Sequence, residues 1–150
     1  PVRTVALAQG RTWGAGADLL VACDLRLAAE DAQFRFPGAG FGIVLGTRRL
    51  AARVGRDLAR RLTCDGASWD VEQALGANLV TDRVGMPEIP GTLLTPPAAS
   101  RDTVRQLRAA TADGDANADL GALVRSASTG GLKERIVAYR DRVKAVAGAK

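Results

Sequence analysis

Histidine is absent from these 150 residues. Ser-His-Asp and Cys-His nucleophilic systems are therefore excluded for this stretch, as is any histidine-ligated metal centre. Chemistry here must rest on carboxylates, backbone amides or arginines. Cysteine is scarce as well: Cys23 and Cys64 lack metal-ligand spacing. Both are expected to be reduced and buried, which suits a cytoplasmic setting. Long apolar runs are missing too. The longest, Leu19 to Cys23, is bracketed by Asp18 and Asp24 and falls far short of the roughly 20 residues that a bilayer span needs. The opening Pro1-Val2-Arg3 lacks the charged start and apolar segment of a secretory leader, so no membrane partner is expected. A hydrophobic share of 47% suffices for one modest core.

Arginine is what the sequence has in plenty. The 21 basic residues against 16 acidic ones give a net charge of +5, and nearly all the cations are Arg. An Arg-rich surface suits phosphate-bearing partners; ordinary solvated helix faces in an Arg/Ala-biased composition are the plainer account. Nucleic acid is not an expected partner. The arginines between Arg48 and Arg61 surround the non-core faces of one helix, and no aromatic residue interleaves with them.

Periodicity predicts an α/β arrangement. Val2 to Ala8 reads as a buried strand closed by Gln9-Gly10. A small-residue loop, Arg11 to Ala17, leads into a helix through Asp18 to Cys23. Asp24 to Ala28 and Gln33 to Phe36 alternate as strands, the second ended by Pro37-Gly38. After a glycine-rich loop from Gly40 to Leu45, Leu50, Val54, Leu58 and Leu62 mark an amphipathic helix interrupted near Gly55. Ser68 is expected to cap a further helix ending at Gly76, and Leu79-Val80-Thr81 to form a closing strand. Four of the six prolines lie between Gly85 and Ser100, which reads as a linker. Beyond it, Ser100 caps one helix, Leu120 to Val124 lies in a second, and Leu132, Ile136, Tyr139, Val143 and Val146 form the stripe of a third. That spacing suits packing against another helix, in this subunit or a neighbour. The expected organisation is a core over 1–84, a Pro-rich linker over 85–100 and a helical oligomerisation region over 101–150.

Several segments, in order, resemble the crotonase superfamily, the enoyl-CoA hydratase/isomerase family. They are Gly14-Ala15-Gly16-Ala17-Asp18, Ala22-Cys23-Asp24-Leu25-Arg26-Leu27-Ala28, Phe36-Pro37, Gly46-Thr47-Arg48-Arg49-Leu50 and the stretch from Ala74 to Val84. Ile136-Val137-Ala138-Tyr139 with Arg142 is similar to the family's closing helix, while Gly85 to Ser128 resembles none of its segments. The resemblance implies a ββα spiral with a helical C-terminal region, a trimer or dimer of trimers, and an acyl-CoA thioester as substrate. Coenzyme A then belongs to the substrate, and no separate cofactor or metal is implied. It also implies that the thioester carbonyl sits between two backbone amides, one of them the N–H of Ala15. A helix start is a favourable place for charge developing on that oxygen. Gly14 and Gly16 would let the thioester approach the backbone. The family's first turns, with the other amide donor, have no counterpart here, so a fragment, a cleaved chain or the ordered remainder of a longer protein is expected.

Departures from the pattern matter as much. The family's two catalytic glutamates align with Asp18 and Gly38. Asp18 keeps a carboxylate but is shorter by one methylene, about 1.5 Å of reach; it also reads as an ordinary acidic residue in a helix's first turn. At Gly38 the carboxylate is gone. Arg35 stands where the family often has glycine, and is either a cation for a substrate carboxylate or phenolate or a solvated side chain. Two functions remain in view: hydratase/isomerase-type chemistry through an enolate, and a non-catalytic paralogue that binds acyl-CoA or serves assembly.

Overall fold

The computed structural model describes residues 2–85, 90–112, 114 and 116–148. Among them the chain winds as a spiral of parallel strands. β1 (Val5–Ala8), β3 (Leu25–Ala28) and β5 (Asp82–Arg83) form one sheet in the order β1-β3-β5. β2 (Arg11–Trp13) and β4 (Gln33–Arg35) form a second, also parallel. Each of the first two turns lays one strand on each sheet before a helix returns the chain, and β5 then extends the first sheet. The return after β2 is α1 (Ala15–Ala22); after β4 come α2 (Thr47–Val54), α3 (Arg56–Asp65) and α4 (Val71–Gly76). Phe34, Leu27, Leu50 and Leu79 are fully buried where these layers meet. Alternation along β3 does not show as an exposed face: all four of its residues are buried, as befits a central parallel strand.

Several expectations shift by a few residues, each for a physical reason. Arg11–Trp13, expected as loop, is a strand because Trp13 pairs with Arg35 in register; three residues are too few to show a period. Asp70, not Ser68, caps α4, through a capping box in which the Gln73 amide donates to Asp70 Oδ1 at 2.9 Å and the Asp70 amide to Gln73 Oε1 at 3.1 Å. Trp69 is held extended beforehand by an antiparallel bridge to Phe34, which keeps Ser68 out of the helix start. The closing strand is Asp82–Arg83, not Leu79–Thr81. Asn78 adopts φ 58°, and the Leu79 amide then donates to Ala74 O at 2.8 Å, so Leu79 stays on the helix end. Buried Arg26 fastens this segment to β3, its Nε donating to Leu79 O at 2.8 Å and its Nη2 to Asn78 O at 3.2 Å. Cys64 is exposed and Cys23 half-buried, so the expectation of two buried thiols fails. Gly55 does separate α2 from α3, at φ 84°. Pro87, in the stretch expected as a linker, lies outside the described residues.

After Ser100 run α5 (Arg101–Ala110), which Ser100 caps, then α6 (Ala116–Ser128) and α7 (Leu132–Gly148). The last two fold back on the turn Pro37–Phe41, a 3₁₀ segment, and the loop after it. Ser126 Oγ accepts from the Val44 amide at 3.1 Å, and Asp119 receives Arg48 through bonds of 2.8 and 2.7 Å. Arg135 Nε donates to Phe41 O at 3.1 Å, and Tyr139 meets Phe41 edge-on with centroids 5.3 Å apart. Gly40 makes that approach possible: a Cβ there would lie 2.9 Å from the Tyr139 ring. Gly40→Ala is accordingly expected to lower stability by about 1 kcal/mol. Thermal melting should show most of that loss vanish in a Tyr139→Ala background. Ile136, 44% exposed, and Val146, 65% exposed, leave part of the α7 stripe open.

Candidate functional site

α1 begins at a glycine that L side chains would not replace: Gly14 has φ 55° and ψ −122°. Its amide donates to Arg35 O at 2.9 Å, so β4 fixes where the helix starts. The Ala15 amide, first in the helix, has no acceptor among the described residues, as a free N-terminal N–H should. One turn on, the Asp18 amide donates to Gly14 O at 2.9 Å and its side chain emerges on the same face as Ala15.

That face looks into a cavity of about 410 Å³. Gly14, Ala15, Asp18 and Gly38 all line it, opposite an apolar wall made largely by Phe36, Phe41 and Ile43 to Leu45. Thr63 and Thr47 also line it, and their hydroxyls donate to nearby backbone carbonyls. Asp18 is the one carboxyl among the lining residues. Burial pushes its pKa up to about 6, with the Arg49 charge opposing that rise. No hydrogen-bond donor meets it among the described residues, so the carboxyl is poised near neutrality in an apolar setting.

Gly46 is what gives Asp18 its place, a role that motif matching does not disclose. A Cβ at Gly46, whose φ is 67°, would sit 2.8 Å from the Asp18 Cγ. Gly46→Ala should displace the carboxyl and, through the left-handed backbone, cost about 1–2 kcal/mol. Melting would read the strain, and a changed Asp18 titration by NMR would read the displacement.

The remaining sequence candidates are placed differently. Gly38 accepts from the Ile43 amide at 2.9 Å, and a Cβ there would come within 3.2 Å of the Ile43 carbonyl oxygen. The tight turn therefore suits the residue that lacks a side chain, and a second carboxylate is absent from this wall. Gly16 and Arg35 are not on the cavity. Arg35 Nε donates to Gly66 O, and its guanidinium lies 5.5 Å from the Trp13 ring centroid, on a neighbouring cleft. Thr63 and Cys64, at the end of α3, line both spaces. Nothing in their local sequence marks them, because the C-terminal end of a helix reaches the site only through the fold.

Comparison with known proteins gives a consistent picture. The profile of the enoyl-CoA hydratase/isomerase family matches residues 1–95. The chain is 38% identical over 81 residues to a 2,3-dehydroadipyl-CoA hydratase of Escherichia coli, covering 52% of this chain and 32% of the relative. It is 39% identical over 80 residues to a mitochondrial Delta(3,5)-Delta(2,4)-dienoyl-CoA isomerase of Dictyostelium discoideum, covering 51% and 27%. The chain thus spans about a third of the length of the curated relatives it matches. A crystal structure described as an enoyl-CoA hydratase/isomerase from Bordetella parapertussis superposes with a TM-score of 0.84 at 37% identity, over 90% of this chain and 58% of that one. The spiral expected from the sequence is therefore the fold observed.

Proposed function

Because the chain belongs to the enoyl-CoA hydratase/isomerase family, we propose that its cavity holds the acyl end of a coenzyme A thioester and moves a proton beside the thioester carbonyl. One observation carries this reading: the unpartnered Ala15 amide and the Asp18 carboxyl line one apolar cavity, a single helical turn apart. The carbonyl oxygen accepts from Ala15 N–H, where the helix start favours negative charge. Ionised Asp18 takes a proton from the acyl chain, the C–H electrons pass into the enolate, and Asp18 returns the proton to the same or a vinylogous carbon. A single carboxyl serves that to-and-fro transfer. Addition of water needs a second group to activate it, and Gly38 does not supply one. The same reading takes the second amide donor that the family uses from elsewhere in the intact protein, and assembly as a trimer or a dimer of trimers.

The test uses the intact protein with a panel of saturated and unsaturated acyl-CoAs. Calorimetry should show binding, and NMR in deuterium oxide should show exchange of protons next to the carbonyl. A folded protein that binds no acyl-CoA would sink the reading. The missing carboxylate at Gly38 favours one rival, a non-catalytic acyl-CoA binder; tight binding without any proton exchange would establish it.

A further inference from the structure

Next to the cavity lies a second cleft of about 330 Å³, and the two share Pro37, Thr63 and Cys64 as a common wall. Two arginines line the cleft, Arg35 and Arg142. Each is held in place by something other than an acid. Arg35, half-buried, is fixed by the Gly66 carbonyl and lies 5.5 Å from the Trp13 ring centroid. Arg142 lies 5.6 Å from the Tyr139 ring centroid, with Nη2 3.5 Å from Gly40 O. Among the described residues neither forms an ion pair, whereas Arg48, Arg83 and Arg108 all reach carboxylates. Asp65 lines the same cleft, and among the described residues it forms no ion pair with either arginine.

Guanidinium groups set beside aromatic rings in a concavity, and not engaged in an ion pair among the described residues, suit a planar oxyanion. We propose that this cleft binds an anionic oxygen group of the substrate, a carboxylate ending the acyl chain, so that the favoured thioesters are those of dicarboxylic acids. The subsite rests on the acyl-CoA reading of the adjoining cavity. On this proposal an acyl chain whose carbonyl meets Ala15 runs along the apolar wall toward Thr63 and Cys64, which line both spaces, and its end reaches the charged cleft. Asp65, on the same cleft, repels a bound anion and so works against the two arginines.

Paired thioesters of equal chain length, one ending in a carboxylate and one in a methyl group, test this with the intact protein. The carboxylated thioester should bind about ten- to a hundredfold more tightly. Arg142→Gln and Arg35→Gln should each shrink that ratio toward one, and Asp65→Asn should widen it. Arg142 is exposed, so its variant stays informative if Arg35→Gln loses its hold on Gly66 and fails to fold. Equal binding of the two thioesters, or a preference that survives in the Arg142 variant, overturns the subsite alone. So does a loss in the variants that is the same for both thioesters and disappears with 3′-dephospho-coenzyme A thioesters, which assigns the cation to a coenzyme phosphate. Binding of neither thioester by folded protein sinks the acyl-CoA reading and the subsite with it.

Discussion

Asp18→Asn should lose most of the turnover of the intact protein, about a hundred- to ten-thousandfold, while melting no lower than the parent at pH 7. The first number is what a positioned general acid or base contributes. The second follows from the sign of the Asp18 shift. Its pKa in the folded chain, about 6, lies above the ordinary value of 3.8 because burial disfavours the charge. Relative to the unfolded chain, the group is therefore most favourable to folding below pH 3.8. That contribution is lost as the pH rises through about 6. Asparagine carries no such burden, and its variant should gain on the parent across that window, by something of the order of 1 kcal/mol after solvent screening. Below pH 4 the two should melt together. A residue that merely complements the helix dipole behaves oppositely: its removal costs about 0.3–1 kcal/mol and leaves turnover alone. The parent's kcat/KM should climb through about pH 6 if the ionised carboxyl is the base, and the climb should be missing from whatever rate the variant retains. Melting curves and rate profiles taken over pH 4 to 8 separate the two roles.

How far the sequence discloses this site depends on which forces fix each part. Most of the order of elements from Val5 to Gly76 is legible because short apolar runs and glycines are local signals. The short strand Arg11–Trp13 and the Asp70 cap are not, because pairing with β4 and the bridge at Trp69 decide them. Gly14 and Gly55 stand at positive φ in the structure, where backbone geometry demands them. The pairing of Ala15 with Asp18 is legible as well, being one turn of one helix. Contacts made through the fold are not. Gly46 reads as part of a motif, but its closeness to the Asp18 carboxyl appears only when α2 packs on α1. The same is true of Thr63 and Cys64, and of Arg135, whose bond to Phe41 O spans most of the chain. Strand assignments slip where tertiary bonds override local pattern: Leu79 is apolar and β-prone in context, yet Ala74 holds its amide. Arg35 illustrates a subtler loss. Its identity is unusual enough to notice, but only the position of Trp13 and Gly66 shows that it faces a different space from Asp18.

Ala15→Pro should remove the proposed oxyanion donor with little effect on the fold, and lower kcat by about a hundred- to a thousandfold. Backbone amides are ordinarily beyond reach of substitution, but this one occupies the first position of α1. Proline is favoured there, because the N–H it lacks has no helical acceptor and its fixed φ already suits the helix. The preceding residue is no obstacle. Gly14 at φ 55° and ψ −122° lies in the mirror image of the extended region that residues before proline prefer, and glycine occupies both. Ala15 is exposed, so the ring displaces no core side chain. The ring does add bulk where the thioester oxygen is expected, and Ala15→Val provides the control: it adds carbon while keeping the N–H. Loss confined to the proline variant, with melting within a few degrees of the parent for both, identifies the amide as the group that stabilises the enolate. Equal losses in the two would mean crowding. Full activity in the proline variant would remove Ala15 from the mechanism, and leave stabilisation of the enolate to other donors in the intact protein.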